Sequence, residues 1–134
     1  MNAVAAPQIT IAALEDGALD AEAFDHEAHV YLGWLFLEEM PLLEAIDRFS
    51  SALWRLTAKL GIPGKYHETV TWFFMLLIAE RRANTAGGDW FSFRRKNSDL
   101  FAGNPSIVSR YYSSDLLASD RARQSFVLPD QIVN

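Results

Sequence analysis

Between Pro41 and Gly61 the chain carries its most regular pattern. Leu42, Ile46, Phe49, Leu53, Leu56 and Leu60 recur at alternating spacings of four and three residues. That period sets six large apolar side chains on one stripe of an α-helix and on no single face of a strand. Proline opens the segment, where its missing N–H matters least, and glycine closes it. Such a helix has one face to hide and draws most of its stability from packing against neighbours. The chain must supply those neighbours.

It does. A first long helix is predicted from about Ala21 to Met40, with Asp20 as its cap and Pro41 as its stop. Ile62-Pro63-Gly64 reads as a turn. A third helix is predicted from about Lys65 to Ala83. It is apolar almost all round (Val70, Trp72, Phe73, Phe74, Met75, Leu76, Leu77, Ile78), which makes it central. Asn84 to Gly88 breaks it. Asp89 is expected to cap a shorter helix from Trp90 to about Phe101 that turns Arg94, Arg95 and Lys96 outward. Pro105 is expected to start another through Ile107 to Tyr112, and Ser113 and Ser119 to cap short turns after it. Ile9 to Leu14 is a short apolar stretch that ends at the turn Asp16-Gly17. Apart from Ser125 to Leu128, nothing alternates as a strand does. The expected class is all-α: one helical domain, three long helices and two or three short ones, with an N-terminal arm (1–19) and an extended C-terminal tail (126–134).

Composition narrows the function. With 134 residues and half of them apolar, the chain is too rich in core formers for disorder. The absence of cysteine excludes a disulfide scaffold, a thiolate zinc site and a cysteine nucleophile. Acids outnumber bases 17 to 12, which argues against nucleic acid as a partner. The glycines have the wrong spacing for a phosphate-binding loop, so no nucleotide cofactor is expected, and no serine sits in G-x-S-x-G. Residues 1–7 lack the basic and apolar regions of a secretory signal. The longest apolar run, Val70 to Ala79, is about half a bilayer span. A soluble, cytoplasmic protein that touches no membrane is expected. Residues 1–80 hold 12 acids and 4 bases, and residues 81–134 hold 5 acids and 8 bases. The two halves can pair electrostatically or dimerise through these charges; the plainer reading is solvated faces of opposite sign.

The three histidines point to chemistry. His26 and His29 are three apart and share a helical face. At about 100° per residue both fall inside the wide apolar arc of the first helix, with Gly33 between them one turn later. A mid-helix glycine costs roughly 1 kcal/mol against alanine, so it calls for a reason, either room for a ligand or a close-packed helix. His67 leads a second stripe of Thr71, Phe74, Ile78 and Arg81. A histidine on an apolar face is ordinarily a core residue bonded to a carbonyl or hydroxyl. A functional cluster is the alternative. Three neutral imidazoles are a ligand set for zinc or iron that leaves a position for water, with Glu68 or Asp25 as orienting group or base. Without a metal, a histidine in an apolar pocket can act as general base. Tyr66, Tyr111 or Tyr112 would then donate to developing negative charge. H-E-x-x-H is absent, since His26-Glu27-Ala28-His29 is one residue short. Arg81-Arg82 and Arg94-Arg95-Lys96 are further candidates for binding an anionic substrate.

Phe24-x-His26-x-x-His29-Val30, Tyr66-His67-Glu68-Thr69-Val70-Thr71, and Tyr112-Ser113 followed by Leu116-x-x-Ser119-x-x-Ala122-Arg123 together resemble a family of small bacterial proteins without an assigned function. The similarity covers about residues 20–130, and its middle segment is the most specific. The resemblance implies that His26, His29, Tyr66, His67, Glu68, Thr69, Thr71, Tyr112, Ser113 and Arg123 stand at the family's motif positions; it implies no activity. The expectation is a small helical enzyme acting on a small molecule in an apolar pocket. His26, His29, His67, Glu68, Tyr66 and Tyr112 would be catalytic, the three histidines the metal ligands if there is one, and Gly33, Thr71, Arg81, Tyr111 and Arg123 would bind substrate. The alternative is a non-catalytic module, ligand-binding or homodimeric, whose histidines are structural.

Overall fold

The computed structural model describes residues 9–85, 88–103 and 106–131. Every regular element among them is helical and no strand occurs, so the protein is all-α. Backbone contacts gather into two compact units, one within residues 1–65 and the other within residues 66–134. No helix of the described residues is long and apolar enough to cross a membrane.

The first unit contains α1 (Ile11–Glu15), α2 (His26–Glu39), α3 (Leu42–Lys59) and a 3₁₀ turn at Pro63–Lys65. Residues 9–19 are not a loose arm. Thr10 caps α1, Leu14 and Leu19 are buried, and α1 packs on α3. Arg48 on α3 grips the Glu15 carboxylate with Nε and Nη2 at 2.9 and 2.6 Å, and Lys59 Nζ donates to Gly17 O at 2.6 Å. The first long helix starts at His26, five residues later than the sequence suggests. Asp20 does accept from Ala23 N–H, at 2.7 Å, but Asp20, Ala21 and Glu22 are exposed and bury nothing that would extend the turn. Asp25 is the true cap, accepting from Ala28 N–H at 2.8 Å.

The stripe on α3 behaves as its period requires. Ile46, Phe49, Leu53 and Leu56 are buried; Leu42 and Leu60, at its two ends, keep some exposure. Gly61 ends the helix at φ 76°, a conformation that only glycine adopts without strain. Ile62 N–H donates to Thr57 O and Gly61 N–H to Ala58 O, the paired closure of a left-handed helix end.

The second unit contains α4 (Glu68–Asn84), α5 (Trp90–Lys96), α6 (Ser114–Leu117), α7 (Asp120–Gln124) and 3₁₀ turns at Ser98–Phe101 and Ile107–Arg110. α4 begins at Glu68 rather than Lys65, because Lys65 belongs to the preceding 3₁₀ turn and His67 is extended. The helix expected over Trp90–Phe101 breaks at Asn97, which is buried and turns its side-chain amide back onto Phe93 O at 2.9 Å. The expected helix start at Pro105 lies outside the described residues, and Ile107–Arg110 forms only a short 3₁₀ turn. Ser113 and Ser119 cap α6 and α7, as their positions predict. The stretch after α7 is not helical, and α4 and the 111–113 segment hold it in place.

Candidate functional site

His26 and His29 do share one end of α2. Their ring centroids are 6.4 Å apart. His26 occupies the first helical position and is half-buried. The His29 ring lies between Phe24, at 5.5 Å, and Phe49 of α3, at 5.2 Å; Phe36 in turn meets the Phe49 edge at 5.4 Å. The His29 residue as a whole is half-buried, but its Nε2 is sealed from water. Burial first, and the neighbouring His26 second, lower its pKa from 6.5 to about 4. His29 is therefore neutral at pH 7 and protonates only in acid, which makes it a poor general base. Gly33 is buried one turn further along α2.

His67 is not a helix-face residue. It is the N-cap of α4, and its Nδ1 accepts from Val70 N–H at 3.2 Å. Nδ1 must then be the unprotonated nitrogen, which places the ring proton on Nε2. Nε2 lies 2.8 Å from Leu117 O, at the last residue of α6, and donates to it. Both nitrogens are thus committed, one to starting α4 and one to holding α6. The carboxylate of Glu68 is engaged on both oxygens: Tyr66 OH donates to Oε1, and Trp72 Nε1 donates to Oε2 at 3.2 Å. Trp72 stacks on Phe126 with centroids 5.5 Å apart.

The remaining motif residues secure the C-terminal stretch. Thr69, fully buried, donates to Ser125 O at 2.9 Å and accepts from Val127 N–H at 3.1 Å. Thr71 bonds back to His67 O at 2.8 Å, at the start of its own helix. Tyr112 OH donates to Val127 O at 2.7 Å, and burial pushes its phenol pKa up, with the Asp130 charge adding to the effect. Asp130 accepts from both Ser113 Oγ and Ser113 N–H, at 2.6 and 2.8 Å, which holds its carboxyl below the ordinary range. Tyr111 packs its ring on Phe73 at 4.9 Å, and Gln131 N–H donates to its carbonyl. Arg123 is half-buried on α7.

Arg81, expected to bind substrate, makes a two-pronged ion pair with Asp99 at 2.9 and 2.8 Å and also donates to Asn97 Oδ1 at 3.0 Å. The hydrogen bonds to Asp99 raise the Arg81 pKa and lower that of Asp99. Arg94 lies 4.1 Å over the Phe101 ring, a cation–π contact. Among the described residues no group of three or more His, Cys, Asp or Glu side chains is placed to hold a metal ion.

The residues that sequence reasoning missed are the partners: Asp99 and Asn97 for Arg81, Leu117 O for His67, Phe49 for His29. A carbonyl leaves no signal in a sequence. Asp99 had one, as an isolated acid after the basic run Arg94–Lys96. Comparisons with family models, with curated proteins and with solved structures find no match to this chain. The family resemblance therefore rests on its motifs alone.

Proposed function

We propose that this chain is a non-catalytic helical accessory module whose histidines, tyrosines and threonines build the fold. One observation carries the reading: both ring nitrogens of His67 are spent, on Val70 N–H and on Leu117 O. A catalytic or metal-ligating histidine keeps one nitrogen for its substrate or ion. The two-sided use of Glu68 and the ion pair of Arg81 support the same reading.

The test is His67→Asn combined with elemental analysis of untagged protein. Asparagine is a good N-cap, so α4 should still start at residue 68, while the bond to Leu117 O is lost. The expected outcome is a folded variant destabilised by about 1 kcal/mol, with the same metal content as the parent. Stoichiometric metal in the parent that disappears from the variant overturns the reading. The catalytic alternative keeps one support, the His26–His29 pair against Phe24 and Phe49, and it predicts loss of a bound small molecule in His29→Leu.

A further inference from the structure

One face of α3 carries two large exposed apolar side chains. Leu43 is 75% exposed and Trp54 is 59% exposed, on the same helix. They are eleven residues apart, three turns within about 20° of each other. Between them on the same side lie Asp47 and Ser50, and beyond Trp54 lies Ala58. The Ser50 hydroxyl is turned onto Asp47 O at 3.2 Å, so Ser50 itself adds little bulk and little unmet polarity to the middle of this face. Charge divides along it. Glu44 and Asp47 stand on the N-terminal half, with Arg48 beside them paired to Glu44 at 3.6 Å and to Glu15 at 2.6 Å, and Arg55 stands on the C-terminal half. Asp47 and Arg55 form no ion pair among the described residues.

We infer that this face binds a second copy of the chain, α3 against α3 in antiparallel order about a two-fold axis level with residues 48 and 49. The inference rests on the accessory reading and names its partner. A two-fold is the symmetry by which one patch satisfies itself. About that axis, Leu43 of one copy meets Trp54 of the other, and Glu44 and Asp47 of one come beside Arg55 of the other. A parallel pair would set acid against acid. A polar or charged partner of another kind has no use for the exposed indole and leucine, whereas a second copy covers both of them twice. The helix is about 27 Å long, and one helix face falls short of the roughly 800 Å² per partner of a standard interface. The dimer is therefore one that dissociates on dilution.

The test is sedimentation equilibrium of the full chain from low to several hundred micromolar, with Asp47→Arg, Arg55→Asp, the double reversal and Trp54→Glu. Circular dichroism verifies that each variant is folded; every substituted site is exposed. The expected result is a monomer–dimer equilibrium that each single reversal weakens at least about tenfold, that the double reversal restores, and that Trp54→Glu abolishes. A chain that stays monomeric throughout overturns the inference. So does a dimer that ignores these substitutions, or a double reversal as weak as the single ones. None of these outcomes changes the metal content or stability of His67→Asn, so the two readings fail separately.

Discussion

Thr69→Val removes one oxygen and replaces it with a methyl of nearly the same size. The site is fully buried, and the β-branched shape suits the first turn of α4 as well as threonine does. Packing is therefore almost conserved, and the change isolates the hydroxyl. That hydroxyl closes two long-range bonds, to Ser125 O and from Val127 N–H, across 56 and 58 residues of chain. The Val127 amide is buried and finds no water when its acceptor goes; an orphaned buried group costs about 1–3 kcal/mol. Ser125 O is partly exposed and recovers a water, so its loss is nearer the lower end of that range. The sum is about 2–4 kcal/mol, a large share of the 5–15 kcal/mol that holds an ordinary domain together. Urea unfolding of parent and variant measures it, and amide exchange at Val127 locates it. The midpoint should fall with an unchanged slope, and the Val127 amide should exchange much faster. A loss below about 0.5 kcal/mol, or exchange at Val127 as slow as in the parent, would refute the claim that Thr69 anchors this stretch.

The electrostatics give two further outcomes. His29 titrates at about 4 when folded and at 6.5 when unfolded. The unfolded chain then binds more protons between those values, and stability falls as pH drops from about 6.5 to 4, by up to about 3 kcal/mol. Urea midpoints at pH 7.5 and 4.5 should differ less in His29→Leu than in the parent; equal differences would show that His29 is not the group. Asp99→Asn breaks the pair with Arg81, which is partly exposed, and should cost about 1 kcal/mol in thermal unfolding at low salt and less at high salt. An effect that does not depend on salt would mean that the hydrogen bonds, not the charges, matter there.

The helical class and the order of elements were legible because they depend on period and punctuation. The α3 stripe, the glycine at 61 and the serine caps at 113 and 119 are local signals, and each did what its local chemistry dictates. Boundaries failed where two signals competed within a few residues. Asp20 and Asp25 both cap, and only burial after residue 26 decides between them. His67 shows the limit more sharply. The period sets it at the head of a helical stripe, whereas it caps that helix, and its role depends on Leu117 O, fifty residues away and indistinguishable from any other carbonyl. A histidine aimed at an empty pocket and one aimed at a backbone oxygen have the same sequence. Arg81 is similar: its stripe position suggested a ligand, and Asp99, eighteen residues on, supplies the charge instead.

The two bonds of Thr69 also set an order in time. Val127 leaves the ribosome 58 residues after Thr69. At about 5–20 residues per second, that is a wait of several seconds. Through that interval the first turn of α4 exists without the backbone groups that its hydroxyl, and the Trp72 ring beside it, will cover. The second unit thus completes its packing only when almost the last of the described residues has been made. A chain stopped at residue 124 would lack the Phe126 ring that stacks on Trp72 and both backbone partners of the Thr69 hydroxyl.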